Sequence, residues 1–193
     1  MENYETLNDK KTIKVDVVEE IFDWIESIIF SMFVISLVFT FILRPAIVDG
    51  SSMLPTLHDK DRLIMSDWSY KPKAKDIVII NCKSFDTPII KRVIATEGQK
   101  VNIDFNEGKV YVDGVEQIEP YINDITKNDF KYYGQAAFEY PVTVPKNCVF
   151  VLGDNRNHST DSRSTLVGFV SEDDILGHPV FRIFPFKSFG TIG

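Results

Sequence analysis

Seventeen consecutive residues without a charge, Ser27–Leu43 ("SIIFSMFVISLVFTFIL"), constrain this chain more than any other feature. Three serines and Thr40 are the only polar residues in the run. That length falls at the short end of the roughly 17–25 residues a bilayer-spanning helix needs. Ile21, Phe22, Trp24 and Ile25 extend the apolar surface upstream, and Trp24 suits the headgroup level. A cleavable leader would need a basic start and a small-residue cleavage site. Here the upstream segment is acidic, with eight Asp and Glu against Lys10, Lys11 and Lys14, and Arg44-Pro45-Ala46-Ile47 follows the run. A buried core helix is the other alternative, but the run is apolar around its whole circumference. The run is therefore read as an uncleaved transmembrane helix. Lysines and arginines near its two ends balance, so charge alone leaves orientation open.

The rest of the chain reads as β. Short runs rich in Val, Ile, Phe and Tyr ("DRLIMSDW", "KDIVIINC", "PIIKRVIATEG", "KVNIDF", "KVYVDGVEQI", "YPVTVP", "CVFVLGD") alternate with turn-forming segments. Asp113-Gly114 is a two-residue hairpin signal. "EDDILGHPVFRIFPF" predicts a short helical turn and a final strand. Residues 119–140 show no clear period and are read as an excursion from the β domain; residues 1–16 are expected to be poorly ordered. Helix 17–43 is expected to end at Pro45. The net charge of −7 offers no basic stripe for a nucleic acid. Cys82 and Cys148 fit no metal spacing; buried free thiols are expected, with a disulfide as the alternative.

Three stretches carry candidate chemistry. The first is "GSSMLPTLHDKDRL", just beyond the apolar run. Gly50 permits close backbone approach, and Pro55 stiffens the turn that presents Ser51, Ser52 and Met53. A serine nucleophile needs a base. His58, or His158 in a loop with Asp154 and Asp161, keeps a Ser-His-Asp arrangement open, though no G-x-S-x-G elbow is present. The second stretch is "TPIIKRVIATEG". Lys91 alternates onto one strand face with Ile89 and Val93, while Arg92 turns to the other with Ile90 and Ile94. Such a lysine either snorkels from an edge strand or is desolvated into a base. The third is "GDNRNHSTDSR", Gly153–Arg163, which is either a solvated loop or a polar support containing an Asp161–Arg163 pair.

Taken in order, these stretches resemble the bacterial type I (leader) signal peptidases from about Ser27 to Phe186. "GSSMLPTL" is similar to the family's nucleophile segment, "IIKRVIATEGQKV" to its lysine segment, "GKVYVDGVEQIEPYI" to the following hairpin, and "GDNRNHSTDSR" to its polar loop. The resemblance implies a mainly β fold: a coiled antiparallel β-sheet catalytic domain behind one N-terminal transmembrane helix. It implies Ser52 as nucleophile and Lys91 as general base. Met53 then lines the site, Ser159 hydrogen-bonds the Lys91 amine, Asp161 and Arg163 form a supporting ion pair, Arg92 flanks the base, and Asp154 belongs to the supporting loop. Gly50 stands where some members carry a serine that assists the oxyanion hole, as in Gram-positive members, and Ser51 points elsewhere. "ATEGQ" departs from the family's "G-L-P-G-D"-like turn, at a place not expected to touch the chemistry. The implied organisation is a cytoplasmic segment 1–26, a transmembrane helix 27–43 and an extracytoplasmic catalytic domain 44–193. The implied activity is removal of signal peptides after small residues, Ala-x-Ala, by a monomer without cofactor or metal. Its implied partners are the lipid bilayer and preproteins delivered by Sec-type export. A self-cleaving repressor-type Ser-Lys protease would need a DNA-binding N-terminal domain and an Ala-Gly-type cleavage site in a linker; the transmembrane run and the acidic N-terminus argue against it. A peptide-binding domain without activity would not need both Ser52 and Lys91.

Overall fold

The computed structural model describes residues 2–127 and 135–192. Residues 128–134, in the middle of the 119–140 excursion, lie outside the described residues. The chain divides into two units, Met1–Leu43 and Arg44–Gly193.

The first unit is a single helix, α1, from Glu2 to Phe41. It therefore begins some fifteen residues earlier than the expected start at Val17, and residues 2–16 are helical rather than irregular. The polar residues of this stretch carry no Gly or Pro, so nothing stops helical hydrogen bonds from propagating through them. The helix also ends before Leu43. The Pro45 ring clashes with the carbonyl of residue i−4, which is Phe41, and disfavours helical geometry at Arg44. The stretch Val17–Thr40 is long and apolar enough to cross a bilayer. Its large side chains, among them Phe22, Trp24 and Phe30, face outward on all sides.

Among the described residues there are twelve strands: β1 Leu43–Ile47, β2 Arg62–Ser66, β3 Ile77–Ile80, β4 Ile89–Ala95, β5 Lys100–Asp104, β6 Lys109–Val112, β7 Val115–Glu116, β8 Val142–Thr143, β9 Cys148–Leu152, β10 Val170–Ser171, β11 Ile175–Phe184 and β12 Gly190–Thr191. The main sheet has the order β1-β2-β11-β3-β4-β9-β10, with β12 added to β11. A smaller sheet has the order β7-β6-β5-β8. The pairings of β2 with β11, β3 with β4 and β4 with β9 are antiparallel, and β11 serves both β2 and β3 by bending through register shifts. Bulges of this kind raise the local twist and let a sheet coil. The expected strands all form, and "VDGV" closes the β6–β7 hairpin with Asp113 at φ 53° and Gly114 at φ 81°, the two positive values a primed turn needs. Strands β1, β10 and β12 were not expected; each is short or holds a proline or glycine, so its period is weak.

Strands β3, β4 and β9 are buried on both faces; β3 and β9 accordingly read as unbroken apolar runs, and β4 as an apolar run broken only by Lys91 and Arg92. Three apolar clusters surround them. Ile89 and Val93 pack with Val78, Ile80 and Val151; Ile90 packs with Met53, Leu57 and Leu63; Ile94 packs with Val101, Phe150 and Leu152. Strand β4 therefore contributes to every core cluster, and the two residues at its centre are Lys91 and Arg92.

Phe150 is fully buried and meets Phe138, Tyr140 and Phe169. Phe150→Ala should destabilise this unit by about 3–5 kcal/mol through lost transfer energy and the cavity left behind. Urea unfolding followed by tryptophan fluorescence measures it, and a loss under about 1 kcal/mol would contradict the packing described.

Candidate active site

The segment after β1 leaves the sheet at Gly50, whose φ of +91° is left-handed and open to glycine at little cost. Its N–H donates to Asp59 Oδ1 at 2.8 Å, closing the loop on itself. Met53 and Leu57, four residues apart, are bonded through Leu57 N–H to Met53 O at 2.9 Å, and both side chains enter the core. One anchored turn thus holds Ser52 half-buried at its surface, while Ser51 faces solvent. Arg182 on β11 pairs with Asp61 and donates to Thr56 O at 2.7 Å, fixing the far side of the turn to the sheet.

Lys91 lies on β4 opposite Val78, 3% exposed. Its Nζ is 2.8 Å from Ser52 Oγ and 3.0 Å from Ile90 O. It does not snorkel. Burial pushes its amine down to about 8; Asp161 pulls it up, Arg163 pushes it down again, and Asp154 pulls it up.

The polar stretch 153–163 is not a solvated loop. Asp154, Arg156, Ser159, Asp161 and Arg163 are all buried. Unpaired charges do not survive such burial, and each here has a partner. Asp161 accepts from Arg163 Nε at 2.8 Å and Nη2 at 2.9 Å, and from Gly153 N–H at 3.0 Å. Burial alone would raise the Asp161 carboxyl, but the Arg163 guanidinium, these hydrogen bonds and the nearby Lys91 outweigh it and hold the group below the usual carboxylate range. Asp154 takes a two-pronged bond from Arg92, Nε at 2.8 Å and Nη2 at 2.7 Å, and a hydroxyl bond from Thr56. Arg92 also covers the Tyr121 ring at 4.1 Å. Asn155 N–H donates to Ser52 O at 3.0 Å and its side-chain amide to Ser51 O at 3.0 Å. A Cβ on Gly153 would stand 2.6 Å from Ser52 O and 2.2 Å from Ser159 Oγ, so only glycine permits this approach.

The structure thus brings Gly50, Ser52, Met53, Lys91, Arg92, Asp154, Asp161 and Arg163 into one connected assembly. Two expectations are corrected. Ser159 does not bond the Lys91 amine: its Oγ is buried against Gly153 without a hydrogen-bond partner, and the amine is occupied by Ser52 Oγ and Ile90 O. The cysteines are free but only half-buried. The histidine alternative gains nothing, since His58 and His158 are exposed and His178 stacks on Tyr70 at 4.2 Å. Sequence reasoning missed Thr56, Glu119, Tyr121, Asn155 and Arg156 as members of the assembly. All five stood inside quoted segments, but their partners are distant in sequence and no spacing reveals them.

With this geometry in view, the comparisons are informative. The family model described as signal peptidase, peptidase S26, matches residues 21–184. Signal peptidase I T of Bacillus subtilis (strain 168) is 35% identical over 184 residues, covering 93% of this chain and 93% of its own length. Signal peptidase IB of Staphylococcus aureus (strain COL) is 34% identical over 183 residues, covering 89% and 93%. A solved signal peptidase I from Enterococcus faecalis V583 is 30% identical, with a TM-score of 0.45, over 56% of this chain and 97% of that one. The family model and these relatives make the chain a hydrolase of the serine endopeptidase class. The chain belongs to the signal peptidase family, peptidase S26.

Asp161→Ala leaves Arg163 charged and buried, at a cost of about 3–5 kcal/mol, whereas Asp49→Ala removes an exposed, solvent-screened partner of Lys60 and should leave stability almost unchanged. The native carboxyl titrates below the ordinary value of about 3.9, so its contribution is present above that pH and is lost as pH falls through the lower folded value. Denaturant titrations from pH 7 to pH 3 should therefore show the gap between wild type and Asp161→Ala narrowing in acid. Equal stability of the two variants at pH 7 would contradict the pair.

Proposed function

We propose that this chain removes signal peptides from exported preproteins, with Ser52 as nucleophile and Lys91 as general base. The observation that carries the reading is a serine hydroxyl 2.8 Å from a lysine amine held out of water. A lysine with its ordinary value of about 10.4 is almost wholly protonated at neutral pH and has no lone pair to offer. With the amine brought down to about 8, a usable fraction is neutral. The neutral amine takes the Ser52 proton as Ser52 Oγ attacks the scissile carbonyl, and the Ser52 backbone N–H faces the developing oxyanion. Lys91 then returns the proton to the leaving amine. In the second half it takes a proton from the water that attacks the acyl-enzyme carbonyl, and it gives that proton to Ser52 Oγ as the ester bond breaks, restoring the hydroxyl and the neutral amine.

The substrate path in this reading is a cleft of about 470 Å³ whose walls include Pro45, Ala46 and Ile47 of β1, Ile90 of β4 and Thr87 and Pro88 just before β4. Ile90 joins the cleft to the dyad, because its carbonyl accepts from the Lys91 amine. Strand β1 is a sheet edge, so an extended peptide laid in the cleft gains main-chain hydrogen bonds. Branched apolar walls then favour small side chains before the scissile bond, in the Ala-x-Ala manner. The helix Val17–Thr40 serves as a membrane anchor with the N-terminus inside and residues 44–193 outside. It tethers the second unit to the same membrane as a preprotein from Sec-type export, which raises the effective concentration. The enzyme works as a monomer.

Ser52→Ala and Lys91→Ala should each abolish cleavage of a preprotein, and the double variant should be no worse than either single, since the two side chains act as a unit. His58→Ala and His158→Ala should remain active. The wild-type rate should rise with pH through a midpoint near 8, because the base works only when neutral. Activity in Lys91→Ala within about tenfold of wild type would overturn the dyad.

A further inference from the structure

Two arginines of the catalytic loop are buried, and only Arg163 has its counter-charge within the loop. Arg156, 1% exposed, is neutralised by Glu119, 37 residues upstream. Glu119 Oε2 accepts from Arg156 Nη1 at 2.8 Å and Oε1 from Nη2 at 2.6 Å, and Nη1 also donates to Thr126 Oγ1 at 3.0 Å. The third donor, Nε, goes to Gly153 O at 3.1 Å. Gly153 is the residue that meets Ser52 O, and its own N–H goes to Asp161. The height of Gly153 under the Ser52 carbonyl is thus set from one side by Asp161 and from the other by Arg156.

The same upstream tripeptide acts a second time. Tyr121, two residues after Glu119, supports Arg92 on its ring, and Arg92 holds Asp154, which accepts from Thr56 on the Ser52 turn. Further along, Lys127 N–H donates to Asn157 Oδ1, and Asn157 Nδ2 donates to Ile125 O. The return of the excursion is tied down as well: Ala137 N–H donates to Arg163 O at 2.8 Å, and Thr165 N–H to Gln135 O at 3.0 Å. The described ends of the 119–140 excursion therefore brace the catalytic loop from outside it.

We propose that Glu119 and Arg156 are a positioning pair, which fixes the Gly153–Asn155 backbone against Ser52 and so aligns Ser52 Oγ with the Lys91 amine. The inference rests on the Ser52–Lys91 reading above. Neither residue touches the substrate. Their pairing acts on the chemical step, since a displacement of about 1 Å in a reacting group costs on the order of 10²-fold in rate.

The test uses the full-length protein in detergent with a preprotein substrate. Glu119→Gln keeps the shape and removes the charge. Arg156→Lys keeps the charge but loses the fork and the bond to Gly153 O. Both should lower kcat by about tenfold or more, with KM within about threefold of wild type, at a temperature where circular dichroism shows both variants folded. The double variant should lose no more than the worse single, because the two changes break one pair. If Glu119→Gln fails to fold, Arg156→Lys alone decides by the same split. A kcat within twofold of wild type in the folded variants, a change confined to KM, or a loss matching the unfolded fraction would overturn the proposal. Ser52→Ala and Lys91→Ala run beside them: activity in either means that the dyad reading has failed, whereas two dead controls with a wild-type Glu119→Gln mean that the pair alone has failed.

Discussion

Everything in the site follows from taking one amine out of water. Lys91 sits on β4, between β3 and β9, in a part of the sheet that is apolar on both faces. A buried ammonium costs several kcal/mol even after relaxation, so the neutral form is favoured there. That effect survives only if no surplus carboxylate stands nearby to restore the charge. The surrounding polar groups meet this condition by pairing: Asp161 with Arg163, Asp154 with Arg92, Glu119 with Arg156. Burial is the largest influence on the amine and lowers it, while the Arg163 charge offsets part of the upward pull of Asp161 and Asp154.

The scaffold works at short range because one residue has no side chain. Gly153 lets the loop after β9 lie directly on the Ser52 carbonyl, and Asn155 N–H then caps that carbonyl. The Ser52 turn is held from below by Met53 and Leu57 in the core and from behind by this loop. Buried polar networks of this kind rigidify a site when every member is satisfied. Among the described residues, the Ser159 hydroxyl, packed against Gly153, and Arg182 Nε are buried without a hydrogen-bond partner.

Much of this was legible in the residues. Apolar runs located β2 to β6 and β9, and Asp113-Gly114 located a hairpin, because those signals are local and the structure obeys them. The uncharged run located the apolar helix but not its start, since nothing in residues 2–16 breaks a helix or patterns one. Ser52, Lys91 and the Asp161–Arg163 pair were legible through a resemblance that orders three distant motifs. The Ser159 bond was drawn from the same resemblance, and packing against Gly153 turned that hydroxyl elsewhere. The Glu119–Arg156 pair could not be read at all. Glu119 stands in an aperiodic segment, and Arg156 stands among so many polar neighbours that a solvated loop described it equally well. Only the folded arrangement shows that the segment after β7 reaches the loop after β9.

The central claim is that Lys91 is a neutral-capable base at physiological pH, and it can be read without any turnover. Selective labelling of the Lys91 side chain, with its Cε resonance assigned by comparison with Lys91→Arg, allows a direct titration by nuclear magnetic resonance in the folded protein. The account predicts a midpoint near 8 for Lys91 while exposed lysines titrate near their ordinary value of about 10.4. A Lys91 midpoint indistinguishable from those lysines would contradict it, however close the amine lies to Ser52.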